Sequence, residues 1–140
     1  MVFPSIWNVK GFFGTGKVFF VCEQPSTGTF PTGADKLFYG LIEKYKFEEA
    51  HITDFIKCKG KVDKIRNVEI ENCFPFLKEE IKILKPKIIV AVGKKVYEEL
   101  KNRKIEGITF KKIMHYSYAY RYKKEKILEN QFDELAKEIN

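Results

Sequence analysis

Two short apolar runs constrain the fold of this 140-residue chain more than any other feature of its sequence. Val18–Cys22 and Ile88–Val92 carry apolar side chains at every position, without the alternation of a strand that has one side in solvent. Such runs are typical of strands that helices cover on both faces, as in the centre of a parallel sheet. Two segments of more mixed composition, 50–56 and 108–114, are predicted to be outer strands.

Amphipathic segments separate these strands. Because their apolar side chains recur every three or four residues, each segment is predicted to form a helix with one buried face. Gly93 allows a tight turn into a further helix over 94–101. The order β-α-β-α-β-α-β-α, with right-handed crossovers, predicts an α/β fold: a three-layer α/β/α sandwich around a four-stranded parallel sheet, in one domain spanning 1–140. The recurring apolar positions are Leu37, Phe38, Leu41, Ile42 and Tyr45; then Cys73, Leu77, Ile81 and Leu84; then Leu128, Phe132, Leu135 and Ile139.

The chain has an excess of positive charge, since 26 Lys and Arg against 19 Asp and Glu give a formal net charge of +7. Nearly all of the excess is lysine, because only Arg66, Arg103 and Arg121 are arginines. Lysines attract phosphate as diffuse point charges, but they also keep a surface soluble. The charge is therefore equally compatible with a polyanionic partner and with a surface that serves solubility.

The cysteines and the apolar stretches indicate the environment of the chain. Three cysteines, Cys22, Cys58 and Cys73, are an odd number, and the chain shows no secretory signal, which disfavours a disulfide framework. No apolar stretch approaches the roughly 20 residues that span a bilayer. We therefore expect a cytoplasmic protein without a membrane segment.

Polar residues follow the predicted strands at their carboxyl ends. Glu23, Gln24 and Pro25 come after the first strand, Asp54 closes the second, and His115 closes the fourth. The carboxyl ends of parallel strands meet at one edge of the sheet, where ligands of open α/β folds bind. The sequence therefore predicts a binding site at this edge.

Two motifs that suggest other chemistry do not fit. Residues 11–18 approximate a phosphate-binding loop, but Val18 replaces the hydroxyl residue and the segment precedes a strand, whereas a phosphate loop lies between a strand and a helix. Cys58 and Cys73 could approach each other, but two ligands do not make a zinc or iron–sulfur site and no Cys-x-x-Cys pair occurs. We expect a glycine-rich turn before the first strand, and no metal or other cofactor.

Six blocks of the sequence form an ordered set. The blocks are Cys22-Glu23-Gln24-Pro25-Ser26, Phe30, the segment 52–58, Cys73-Phe74-Pro75-Phe76-Leu77, the segment 85–93, and the segment 115–121. Taken together, they resemble the landmarks of the uracil-DNA glycosylase superfamily, with the iron–sulfur branch as the nearest, in the same order and at similar spacing over residues 17 to 121. The resemblance implies a uracil-DNA glycosylase-like fold that acts on DNA.

The resemblance implies a role for each matched residue. His115 corresponds to the histidine that supports the negative charge on the departing base, and Glu23 or Asp54 would help to place the attacking water. For base binding, the resemblance implies that an aromatic ring stacks on the flipped base and that a strand-end side chain reads its edge. The implied base-binding residues are Gln24, Pro25, Phe30 and Asp54, and those near DNA phosphate are Ser26, Ser117 and Arg121.

The departures from the family pattern concern the same positions. Asp54 stands where the family has an asparagine, and an ionised aspartate only accepts hydrogen bonds, so it would repel uracil O4. An ionised Asp54 would favour a base with an exocyclic amine, whereas a protonated Asp54 could still accept uracil. Gln24, where another branch has a water-activating aspartate, cannot act as a base. The paired amino-terminal cysteines of the iron–sulfur branch are missing.

Three functions remain open from the sequence. The first is a monomeric base-excision glycosylase that acts on uracil or a related base in DNA. The second is a catalytically decayed protein of the same fold that binds nucleic acid or a nucleobase. The third is a small α/β protein whose pocket holds a free nucleobase or another metabolite.

Overall fold

A computed structural model describes residues 17–22, 33–47, 50–55, 67–103 and 105–139 of the chain. Over these residues four strands alternate with helices, in the predicted order. The strands are β1 Val18–Cys22, β2 His51–Asp54, β3 Ile88–Val92 and β4 Thr109–Ile113. The helices are α1 Gly33–Lys44, α2 Asn67–Leu84, α3 Lys94–Asn102, α4 Tyr116–Arg121 and α5 Glu125–Ile139.

All four strands are parallel and form one sheet in the order β2-β1-β3-β4. The two fully apolar runs occupy its centre and the two mixed segments its edges, so the predicted fold class and strand positions are confirmed. The chain leaves β1 toward one edge of the sheet and β3 toward the other. The carboxyl ends of β1 and β3 are therefore the topological switch point, where a ligand crevice opens in such sheets.

Successive side chains of β1 point to opposite faces of the sheet and supply two cores. Phe20 packs with Phe38 of α1 and stacks on Phe132 of α5, with 5.8 Å between the ring centroids of Phe20 and Phe132. Phe19, on the other face, belongs to a core with Leu77 of α2 and Leu100 of α3. Helices therefore cover both faces, and the three-layer α/β/α arrangement is confirmed.

The segment after β4 differs from the prediction. The sequence predicts one helix there, whereas the structure contains two, because the six-residue α4 precedes α5. Helix α4 packs on α1, where Tyr116 stacks on Phe38 with 4.6 Å between ring centroids. A helix this short offers too few positions for an apolar period to be recognised. No helix within the described ranges is long and apolar enough to cross a membrane.

Candidate functional site

The structure places two of the predicted site residues at the carboxyl edge of the sheet. Asp54 is the last residue of β2, is paired in register with Cys22 of β1, and is only 6% exposed. His115 follows β4 by two residues and is the N-cap of α4. The predicted residues of the loop after β1, and one cysteine, lie outside the described part of the chain: Glu23, Gln24, Pro25, Ser26, Phe30 and Cys58.

The backbone of its own helix fixes the imidazole of His115. Its Nδ1 accepts a hydrogen bond from the backbone N–H of Ser117 at 3.0 Å, which caps the first turn of α4. Burial lowers the pKa of His115 from 6.5 to about 4, and the charge of Asp35 opposes this shift only in part. The ring is therefore neutral at pH 7. Because Nδ1 is an acceptor, the single ring proton is on Nε2, which can donate a hydrogen bond.

Two neighbours lie beside the His115 ring. It stacks on Tyr116, with 4.5 Å between ring centroids. On another side lies Gly93, where a Cβ would come 3.6 Å from both Cβ and Cδ2 of His115. Gly93 has φ 103° and ψ 153°, a conformation that essentially only glycine adopts, and its N–H donates to the Ile113 carbonyl at 2.9 Å. The end of β3 is thus tied to β4 just before His115.

A group of ionisable side chains, here called the buried polar cluster, lies at the same edge. It consists of Cys22, Asp35, Tyr39, Asp54 and Tyr116. Tyr116 forms a side-chain hydrogen bond with Cys22, and both acids are buried, Asp35 at 3% exposure. Burial, and after it the nearby negative charges of Asp54 and Asp35, raises the pKa of the Cys22 thiol.

The same forces act on the two phenols of the cluster. Burial raises the pKa of Tyr39 and of Tyr116, and negative charge on Cys22 once it is ionised, on Asp54 and on Asp35 adds to both shifts. The thiol and both phenols are therefore neutral at pH 7, so the cluster presents hydroxyl and thiol groups beside two acids. The charge of Asp35 raises the pKa of both His115 and Tyr116, and the charge of Asp54 also raises the pKa of Tyr116. Since Tyr116 follows His115 directly, the cluster connects Asp54 with the segment that carries His115.

Sequence reasoning missed Asp35, Tyr39 and Tyr116, although a signal for Asp35 was present. Asp35 lies three residues before Phe38 and seven before Ile42, so it shares the apolar face of α1. A carboxylate on the buried face of a helix is rare unless it has a function or a partner. Tyr116 gave no comparable signal, because its burial depends on the unpredicted helix α4.

The remaining predicted residues, Ser117 and Arg121, lie on the solvent side of α4. They are four residues apart and therefore form one row on the helix surface. Exposed hydroxyl and guanidinium groups in one row are suited to contacts with phosphate. Within the described residues, no three His, Cys, Asp or Glu side chains are grouped so that they could hold a metal ion.

Comparison with known proteins identifies the family. The family model of the Uracil DNA glycosylase superfamily matches residues 12–139. No curated protein matches the chain. Since the family model covers nearly the whole sequence, this chain belongs to the uracil-DNA glycosylase superfamily, and its four-stranded parallel sheet with helices on both faces is consistent with the fold of that superfamily.

Proposed function

From this family membership we propose that the protein is a base-excision glycosylase, which hydrolyses the N-glycosidic bond of uracil or a related damaged base in DNA. In this reaction the bond between sugar C1′ and the base nitrogen breaks, water adds its oxygen to C1′, and its proton goes to the departing base. The target base must first leave the helix stack and enter a pocket. The carboxyl edge of the sheet, with Asp54 and His115, is the proposed position of that pocket.

The state of His115 is the observation that carries this proposal. As the glycosidic bond breaks, the base becomes negatively charged, so a fixed hydrogen-bond donor beside it lowers the barrier. A neutral imidazole with its proton on Nε2 is such a donor, and the bond from Ser117 to Nδ1 sets its orientation.

Asp54 is the residue that we propose reads the edge of the base. Its position at the end of β2 and its burial support this role, because a base edge in a dry pocket needs polar partners. An ionised carboxylate there favours a base that offers two donors, such as an exocyclic amine beside a ring N–H. A protonated carboxyl would accept uracil, so the base preference reports the protonation state of Asp54.

The loop after β1 supplies the other proposed groups. Phe30 would stack on the flipped base, Gln24 and Pro25 would line the pocket, and Glu23 would assist Asp54 in placing the water. Ser26, with Ser117 and Arg121, would contact DNA phosphate. Within the superfamily, the iron–sulfur branch is the proposed nearest relative, although without a metal of its own, and we propose that the protein acts as a monomer.

One observation favours a second function, binding without catalysis. Gln24 cannot act as a base, and Asp54 replaces the family's asparagine, so both positions that handle water or the base are altered. In this alternative the same edge binds a nucleobase or nucleic acid and leaves the glycosidic bond intact.

Strand cleavage after alkali separates the two functions. The protein is incubated with single-stranded oligonucleotides that contain uracil, hypoxanthine or a marked cytosine, and alkali then breaks the strand wherever a base has been removed. We expect breaks with the wild-type protein and at least a hundredfold slower reaction with His115→Ala, because a hydrogen-bond donor to the leaving base is lost. Tyr97→Phe, in helix α3, is the control and should react at the wild-type rate. No breaks with any base would reject the glycosylase.

The base preference tests Asp54. With an ionised Asp54, we expect uracil and hypoxanthine, which both present a carbonyl oxygen beside a ring N–H, to be excised more slowly than cytosine, which carries an exocyclic amine. Asp54→Asn should improve excision of uracil, because an amide can both donate and accept. A wild-type protein that prefers uracil and reacts at full rate would contradict the proposed reading of an ionised Asp54.

A further inference from the structure

The solvent face of α4 carries a pair of exposed tyrosines next to the proposed site. Tyr118 is 47% exposed and Tyr122, directly after the helix, is 55% exposed. Their rings lie against each other, with 4.7 Å between centroids and a tilt of 46°. We call this pair the tyrosine platform. Among the described residues Phe76 and Tyr120 also have exposed rings, but Tyr118 and Tyr122 place two such rings side by side. Adjacent large aromatic faces that are open to water mark interaction surfaces.

Cationic groups surround the platform. Arg121 lies on the same exposed side of α4, Lys123 and Lys124 follow Tyr122 directly, and the Nζ of Lys124 lies 6.0 Å from the centroid of the Tyr118 ring. Aromatic faces interleaved with cations are the composition that binds single-stranded nucleic acid, since bases stack on the rings and phosphates contact the charges. The net charge of +7 provides the same complementarity over the whole chain.

The fold holds the platform in a fixed position relative to His115. His115 is the N-cap of the helix that carries Tyr118, and three helical residues correspond to about 4.5 Å along the axis. Helix α4 is anchored on α1 by Tyr116 against Phe38 and by the half-exposed Tyr120 over Gly33, where a Cβ would collide with the tyrosine hydroxyl. The platform therefore lies within two helical turns of His115, near enough to contact nucleotides next to a base that reaches His115.

We propose that the tyrosine platform stacks unpaired bases next to the target nucleotide, so that the preferred substrate is single-stranded DNA. In a duplex the base faces are stacked on one another and only the edges are accessible, so the exposed tyrosine rings cannot stack on paired bases. The choice of DNA over RNA rests on the proposed glycosylase function, whereas the stacking itself does not.

Affinity for undamaged DNA tests the platform without any excision. The probe is a thymidine oligonucleotide of about twelve nucleotides, a length within the usual site sizes of single-strand binders, and binding is followed by fluorescence anisotropy. We expect Tyr118→Ala with Tyr122→Ala to weaken binding by about tenfold or more, and Tyr118→Phe with Tyr122→Phe to change it by less than about twofold, because phenylalanine retains the stacking face. In both double variants, the affinity for a duplex of the same length should change by less than about twofold.

Two controls separate stacking from charge and from damage to the fold. Tyr97 of α3 also has lysine ammonium groups beside its ring but packs with the core on the other face of the sheet, so Tyr97→Ala should leave the affinity unchanged. Arg121→Ala should reduce the salt dependence of single-strand binding by about 0.7 in slope, whereas the tyrosine variants should leave the slope unchanged. If the alanine pair lowers the thermal unfolding temperature, the comparison uses leucine at both positions, which keeps bulk but not the aromatic face.

Several outcomes would overturn the proposal. They are an unchanged affinity in the alanine and leucine pairs, an equal loss for single-stranded and duplex DNA, and a tyrosine-dependent preference for an RNA strand of the same length. A platform that binds single strands without excision rejects only the glycosylase. Excision that is unaffected by the loss of the tyrosines rejects only the platform.

Discussion

The two histidines of the chain show how the opposite edges of the same sheet serve different purposes. His51 begins β2 at the amino edge, is buried, and places its Nε2 2.9 Å from Oε2 of Glu80 in α2, while its ring packs on Phe19. His115 follows β4 at the carboxyl edge and accepts a backbone N–H through Nδ1. Side chains of two elements fix the first ring, whereas one short helix fixes the second.

The difference concerns which ring nitrogen the fold uses. At His51, the bond to the carboxylate engages Nε2 and joins β2 to α2, so the side chain contributes to the fold. At His115, the bond that orients the ring engages Nδ1, so the fold sets the direction of the Nε2 donor and, among the described residues, forms no hydrogen bond with it. The same residue type therefore contributes mainly stability at one edge and a positioned donor at the other.

The largest expected effect comes from removing the buried pair. His51→Ala leaves the largely buried Glu80 carboxylate without its imidazole partner, and we expect the free energy of unfolding to fall by about 3 kcal/mol. His115→Ala removes a helix cap and should cost only about 1 kcal/mol. Urea unfolding at pH 7 measures both changes.

The double variant His51→Leu with Glu80→Leu sharpens this contrast. Two apolar side chains leave no buried charge, so most of the stability lost in His51→Ala should return. Equal losses in His51→Ala and His115→Ala would mean that the two edges do not differ as described.

Acid should affect the carboxyl edge through His115. Its pKa in the folded protein, about 4, lies below the 6.5 of the unfolded chain, so between these values the unfolded state binds a proton that the folded state does not. The contribution of neutral His115 to the free energy of unfolding is therefore fully present above pH 6.5. It is lost as the pH falls toward 4, and the loss is at most about 3 kcal/mol. Urea unfolding of the wild type and of His115→Asn over this range isolates the contribution. Parallel pH profiles for the two proteins would contradict it.

A further effect, smaller than that of His51→Ala, concerns the turn at Gly93. Gly93→Ala should lower the free energy of unfolding by about 2 kcal/mol, because alanine does not tolerate a φ of 103° with a ψ of 153°. The matched control is Gly40→Ala in α1, where a Cβ meets nothing within 4 Å, and we expect it to raise stability by about 0.5–1 kcal/mol. Thermal unfolding compares the two, and an unchanged stability in Gly93→Ala would show that the turn is not constrained.

Most of the sheet could be predicted from the sequence, because a strand that is buried on both faces has apolar side chains at every position. Val18–Cys22 and Ile88–Val92 are apolar throughout and form the centre, while His51–Asp54 and Thr109–Ile113 are mixed and form the edges. Helix α4 could not be predicted, since its six residues are held by a histidine cap and by packing on α1. Both causes are tertiary or local contacts that an apolar period does not encode.

The candidate site was predictable only in part, for a similar reason. Asp54 and His115 could be placed at one edge, because parallel strands end together. The neutrality of His115 depends on burial and on the Ser117 N–H, and the cluster around Cys22 depends on Tyr116 of α4. These features arise from how distant segments pack, so they become visible only in three dimensions.

The central claim is that His115 is a neutral donor at physiological pH, with its proton on Nε2. Nitrogen-15 magnetic resonance of the imidazole, recorded as a function of pH on the wild-type protein, tests it most directly. The account predicts a protonated Nε2, an unprotonated Nδ1, and a midpoint of titration near pH 4. A midpoint near 6.5, or a proton on Nδ1 at pH 7, would contradict it.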